Sequence, residues 1–294
     1  MRHVAVRLGD DWRAHADPAW LAGWESRPFD LGDGATEVVA AGAGPPLLLL
    51  PPLPGWKEAW AACLPLLARR HRVVTFDLRA RFGPGDRWRQ AVADVLRVAD
   101  AFAPGPLTLV GHSLGGALAQ HVALAHPARV TGVVLSSTFA RITTPAGTAH
   151  RRFVEQPFVL ATQRVLPDPL AVPLARHLAE SGAWVYDPCC DDRVLAFVRF
   201  AIRRAPPRDA AVMVRLALDH DTRATLASLA APALVVYGER ESGFVREGAA
   251  EMLQRLPRAQ AVELPGVGHL HLLSAPRLLA DAIERWLDAR PGGV

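Results

Sequence analysis

Short, wholly apolar runs recur along this chain, and longer amphipathic stretches separate them. Leu47 to Leu50 is four leucines fenced by prolines. Arg72 to Asp77, Leu107 to Val110, Val130 to Ser136 and Ala233 to Gly238 hold further runs rich in valine and leucine. A short apolar run without polar alternation has no face for water, so it suits a strand covered on both sides. Glu37 to Ala41 and Ala261 to Leu264 read as weaker strands. Glu58 to Arg70, Arg87 to Phe102, Leu114 to Ala125, Arg246 to Leu256 and Arg277 to Arg290 read as helices. Buried strands alternating with helices predict an α/β fold: a mostly parallel sheet with helices on both faces.

The rhythm stops after Ala140 and resumes near Ala233. The expected division is therefore a first core part at 1–140, a helical insertion at 141–215 and a second core part at 216–294. Residues 1–34 read as a short helical arm, with Trp12, Trp20 and Trp24 as packing residues and Asp17-Pro18 as a helix start. The 294 residues carry 33 basic and 29 acidic side chains, a formal charge of +4. Only Lys57 is a lysine. So mild an excess is no nucleic-acid footprint. Cys63, Cys189 and Cys190 make neither a disulfide framework nor a zinc site. The first residues are too polar for a secretory leader, and no apolar run is long enough to span a membrane. These features predict a cytoplasmic protein in a reducing compartment. Neither a glycine-rich dinucleotide fingerprint nor a phosphate loop is present, so no cofactor and no metal are expected.

Gly111-His112-Ser113-Leu114-Gly115-Gly116 joins a buried strand to a helix. A serine at so sharp a turn projects its hydroxyl from the top of the sheet. The backbone there is crowded, and glycines two before and two after the serine relieve it. The helix N-terminus adds a positive end where an oxyanion would develop. Ser113 is thus the candidate nucleophile. It needs a base within hydrogen-bond reach.

Three motifs together give the chain a family likeness: the serine turn, Phe76-Asp77-Leu78-Arg79, and Pro265-Gly266-Val267-Gly268-His269. From about Glu37 to Arg290 the sequence resembles the α/β-hydrolase superfamily of serine hydrolases. The resemblance implies that His269, on the loop after the last strand, is the base, with His271 as its rival. It implies an acid after the strand ending at Gly238. Glu241 stands in the usual aspartate place, with Glu239 as competitor. The oxyanion donors it implies are the backbone amides of Leu53 and Leu114. Here the sequence departs from the family, because Pro51-Pro52 replaces the usual His-Gly pair. Prolines donate no backbone hydrogen bond, but the aligned Leu53 keeps its N–H. The Pro-Pro turn is similar, more loosely, to a maspardin-like branch viewed as binding proteins.

By the same resemblance, 141–215 would form a lid over the serine. Phe153, Phe158, Leu160, Trp184, Tyr186, Phe197 and Phe200 supply its apolar surface, and Arg199, Arg203 and Arg204 are candidates to meet an anion. The insertion holds 11 arginines against 7 acids, so it carries the whole formal excess. The expected function is cleavage of a carboxylic ester, thioester or lactone through an acyl-enzyme on Ser113. The partner is a small-molecule acyl substrate, anionic or carrier-linked. Two other readings stay open: a non-catalytic binding protein on the same scaffold, and a carbon–carbon bond hydrolase or acyltransferase.

Overall fold

The computed structural model describes residues 16–21, 23–142 and 190–290, with isolated positions at 3–4, 13 and between 158 and 174. Among the described residues nine strands build one sheet. They are β1 (His3–Val4), β2 (Ser26–Asp30), β3 (Gly34–Ala41), β4 (Pro46–Leu50), β5 (Arg72–Phe76), β6 (Leu107–His112), β7 (Val130–Ser136), β8 (Ala233–Gly238) and β9 (Ala259–Leu264). Their order is β1-β3-β5-β4-β6-β7-β8-β9, with β2 paired on β3. From β5 across to β9 every pairing is parallel, while β3 runs antiparallel to β5 and β2.

The apolar runs behave as doubly covered strands must. Leu48 and Leu50 enter one core, whereas Leu47 and Leu49 enter another on the opposite face. Leu109, Val133 and Val235 join the first core, and Val110, Val134 and Val236 the second. The first core is closed by α2 (Arg87–Phe102) and α3 (Leu114–Ala125), the second largely by α8 (Pro276–Asp288). Asp86 starts α2 by accepting the amide hydrogens of Trp88 and Arg89, which satisfies donors the helix cannot. Between α3 and α8 the described helices are α4 (Asp192–Arg204), α5 (Pro207–Asp219), α6 (Gly243–Arg255) and α7 (His271–Ser274).

Two expectations change. The helix over Glu58 to Arg70 is instead a 3-10 turn at Lys57–Trp60 followed by the four-residue α1 (Leu64–Leu67). Pro65 lacks an amide hydrogen, and Trp60, Ala61, Ala62 and Cys63 are all buried. Tight bonds such as Ala61 N–H to Glu58 O and Cys63 N–H to Trp60 O fold the segment into a compact plug. The N-terminal arm is also less helical than expected. Pro18–Leu21 is a single 3-10 turn, and Ser26–Asp30 is an edge strand with Ser26 opposite Val39. Its sequence, Ser-Arg-Pro-Phe-Asp, has no apolar alternation to announce it, and an edge position tolerates Pro28. Phe153, Leu160, Trp184 and Tyr186 lie outside the described residues.

The turn after β4 is fastened by the chain's one lysine. Lys57 Nζ donates to Asp77 Oδ2 and Glu58 Oε1, each at 2.9 Å, and the Lys57 amide donates to Asp77 Oδ1. All three side chains are buried. Two carboxylates against one ammonium leave this cluster short of a positive charge. Burial and the Glu58 charge push Asp77 up to about 7, against the pull of Lys57. Burial alone would lower Lys57, but Asp77 and Glu58 outweigh it and raise it. An acid whose folded pKa lies above its unfolded value of about 4 binds its proton more tightly in the fold. Its contribution to stability therefore falls as pH rises from about 4 to about 7. Lys57→Met strands both carboxylates, so we expect a loss of about 3 kcal/mol at pH 8 and a smaller loss at pH 5. Urea unfolding at the two pH values measures both.

Candidate active site

The order in which the chain lays down its strands reverses at β4. The chain leaves β4 toward β5 on one side and leaves β6 toward β7 on the other. A crevice opens above the carboxyl ends of such a pair, where α/β sheets bind ligands. The loop of Leu53 follows β4, and the turn of Ser113 follows β6.

Ser113 stands between β6 and α3 with φ 53° and ψ −116°, a backbone conformation that L-residues rarely adopt. Its neighbours explain how it persists. A Cβ on Gly111 would lie 2.3 Å from the Gly115 carbonyl oxygen, and one on Gly115 would lie 2.0 Å from the Leu50 carbonyl oxygen. Only glycine lets strand, turn and helix come so close. The Ser113 amide donates to Ser136 O at 2.9 Å, and Thr138 Oγ1 donates to Ser113 O at 2.7 Å. The strain is thus held from both sides.

Opposite the serine, Gly55 N–H donates to Pro52 O and Leu78 N–H to Gly55 O, which ties the proline loop to the end of β5. Among the described residues, neither the Leu53 nor the Leu114 amide hydrogen is committed to a protein acceptor.

The loop after β9 folds back over β8. Arg240 N–H donates to Val267 O, and the Glu239 carboxylate accepts from Gly266 N–H. Glu239 is consequently a loop brace. Glu241 faces the histidine instead, with Oε2 3.3 Å from His269 Nδ1 and a fully buried side chain. Burial would raise the Glu241 pKa, but the charge and hydrogen bond of His269 outweigh it, and the carboxyl ends below its ordinary value. An ionised carboxylate only accepts, so His269 Nδ1 carries the hydrogen and Nε2 is left to receive a proton. His271 is packed inward, with Nε2 2.8 Å from Ser136 Oγ.

Ser113 and His269 line one cavity, a space of about 750 Å³ including its open mouth. Its other walls are apolar, with Leu53 and Trp56 from the proline loop, Phe197 and Ile202 from α4, and Leu272 from α7. Glu58 is the remaining polar residue on the wall. Sequence reasoning passed over Ile202, Leu272 and Glu58, because nothing in their local pattern separates a cavity wall from a core. It also offered Arg199 to a substrate anion. Arg199 is buried, and its guanidinium donates to the Leu166 carbonyl. Among the described residues no group of three His, Cys, Asp or Glu is placed to hold a metal ion.

Residues 45–276 match the family model described as alpha/beta hydrolase fold. The chain belongs to this family. It is 29% identical over 258 residues to a pimeloyl-[acyl-carrier protein] methyl ester esterase of Edwardsiella ictaluri, covering 85% of this chain and 96% of that protein. It is 28% identical to the protein of the same name from Nitrosomonas europaea, with 84% and 97% covered. Among solved structures, a thermophilic esterase from Thermogutta terrifontis superposes with a TM-score of 0.71 at 24% identity, over 90% of this chain and 98% of that one.

In this α/β hydrolase the serine turn tolerates no side chain at Gly115. Gly115→Ala forces a methyl group into the Leu50 carbonyl, so α3 must shift away from β4. We expect destabilisation of about 3 kcal/mol, read as a fall in the thermal midpoint.

Proposed function

We propose that this chain is a carboxylic ester hydrolase working through an acyl-enzyme on Ser113. The observation that carries this reading is the buried Glu241 carboxylate on His269 Nδ1, with His269 sharing one apolar cavity with the strained Ser113. His269 Nε2 takes the Ser113 hydroxyl proton as Oγ attacks the ester carbonyl. The Leu53 and Leu114 amides, beside the positive end of α3, stabilise the oxyanion. His269 returns the proton to the leaving alcohol, and water completes the cycle. Glu241 fixes the tautomer and stabilises the imidazolium.

The maspardin-like alternative drew on Pro51-Pro52. The family needs an amide one position later, and Leu53 supplies it. We also read residues 141–215 as a lid, supported by Phe197 and Ile202 on the cavity wall. The two relatives named as carrier-protein methyl ester esterases support a carrier-linked acyl ester as substrate class. Among the described residues no helix is long and apolar enough to cross a membrane. Cys63 is a buried thiol outside any disulfide, which supports a cytoplasmic location.

A fluorophosphonate probe and a short-chain p-nitrophenyl ester test the mechanism. Wild type is expected to label and to turn over, while Ser113→Ala loses both. Glu241→Gln is expected to lower kcat by about 10³- to 10⁴-fold, because the wrong tautomer then predominates. Absent labelling in wild type would sink the reading. The basic insertion adds an expectation about rate. An acidic carrier-linked ester should lose kcat/KM steeply between low and moderate salt, while a neutral p-nitrophenyl ester should not. Equal salt dependence would remove the carrier preference.

A further inference from the structure

Behind His269 and Glu241 lies a second row of polar side chains that the proton transfers above do not use. His112 Nδ1 is 3.0 Å from Ser136 Oγ, and Ser136 Oγ is 2.8 Å from His271 Nε2. His271 Nδ1 is in turn 2.9 Å from the Gly268 carbonyl oxygen. His112, Ser136 and His271 are all 0% exposed.

The far end of this row decides its polarity. A carbonyl oxygen only accepts, so His271 Nδ1 carries a hydrogen. A neutral His271 then accepts at Nε2, and the Ser136 hydroxyl is its donor. Ser136 has no second hydrogen, so it accepts from His112 Nδ1–H. Burial, with the neighbouring His269 and His271, holds His112 well below its ordinary pKa and so keeps it neutral. For neutral rings, one hydrogen arrangement satisfies the three bonds of the row, with His112 Nε2 left bare and unpartnered.

The row touches each loop that bears a triad member. His112 precedes Ser113, and Gly268 precedes His269. Ser137 follows Ser136, with its hydroxyl 3.4 Å from His271 Nδ1 and near enough to Glu241 to help lower that carboxyl. Ser137 has a φ of 44°, a left-handed conformation in a residue other than glycine. Buried polar groups cost stability unless satisfied, and apolar side chains would fill the same space at less risk. Their return here is geometry.

We propose that His271 is a positioning residue for the reaction. Through Ser136 and the Gly268 carbonyl it locks the His269 loop to the serine turn, and so keeps the imidazole aimed between Ser113 and Glu241. This rests on the triad reading. His271 lines no part of the cavity, so it acts through the loops it joins, those of His269 and Ser113.

The test follows His269 itself, in the full chain labelled at histidine and observed by NMR. Its signals are assigned from their loss in His269→Gln. Among the described residues, its ring faces the Glu241 carboxylate and the His112 ring, the latter 5.1 Å away between centroids. In His271→Leu the His269 resonances and titration midpoint are expected to move. With the p-nitrophenyl ester, kcat should fall about 10- to 100-fold with KM held within about 2-fold. His271→Asn keeps a donor at the Nδ1 position and should recover about 10-fold of that loss. Ser136→Ala breaks the row between the two rings and replaces His271→Leu if the latter does not fold. A folded variant with unchanged His269 resonances, unchanged titration and kcat within about 2-fold of wild type overturns the proposal. Moved His269 signals in a protein without Ser113-dependent turnover would support the positioning role and overturn the esterase reading.

Discussion

The close approach of α3 to β4 is the constraint on which the site depends. Gly115 passes so near the Leu50 carbonyl that a methyl group has no room. That approach sets where the helix N-terminus sits, and hence where Ser113 and the Leu114 amide face. It also brings the serine turn against the loop that carries Leu53. A helix displaced outward would separate Ser113 from the Leu53 amide, two groups that the proposed mechanism brings to one carbonyl. The strain at Ser113 is sustained because both its amide and its carbonyl are bonded to the end of β7. The elbow therefore belongs to three adjacent strands at once.

Buried polar chemistry is concentrated at the same carboxyl edge of the sheet. The Lys57, Glu58 and Asp77 cluster fastens the loop after β4. The His112, Ser136 and His271 row joins the elbow to the loop after β9. Glu241 is buried against His269 between them. These groups carry desolvation costs that an apolar edge would not. What they supply is direction, because hydrogen bonds specify geometry where apolar packing specifies mainly volume. The cavity itself is apolar on most of its wall, which suits an acyl chain and strengthens the electrostatics at the serine.

Much of this was legible in the sequence, for identifiable reasons. The buried strands announced themselves because residues covered on both faces need no polar alternation. Ser113, His269 and Glu241 were legible because each follows a strand end, where the fold puts its functional loops. Glu58 to Arg70 was misread, since a plug buried on all sides has no amphipathic period to display. Ser26–Asp30 escaped notice because an edge strand pairs through its backbone, to which side chains give little clue. The resemblance puts Glu241 in the acid's place and keeps Glu239 as competitor. In the fold Glu239 is drawn to Gly266 N–H by the folding back of one loop over another, and Glu241 is the one that meets His269.

By itself, then, the sequence determined the layered α/β architecture, the strained serine turn and the loop that carries the proposed base. These follow from local rules: burial on two faces, glycine where no side chain fits, and strand ends that open into loops. The tertiary structure alone decided which glutamate meets His269, which side chains wall the cavity, and that His271 and Ser136 face each other across 135 positions of chain. Those pairings arise where loops from distant strands converge. No periodicity along the chain encodes them, because the contacts exist only once the sheet has set the spacing of its strands.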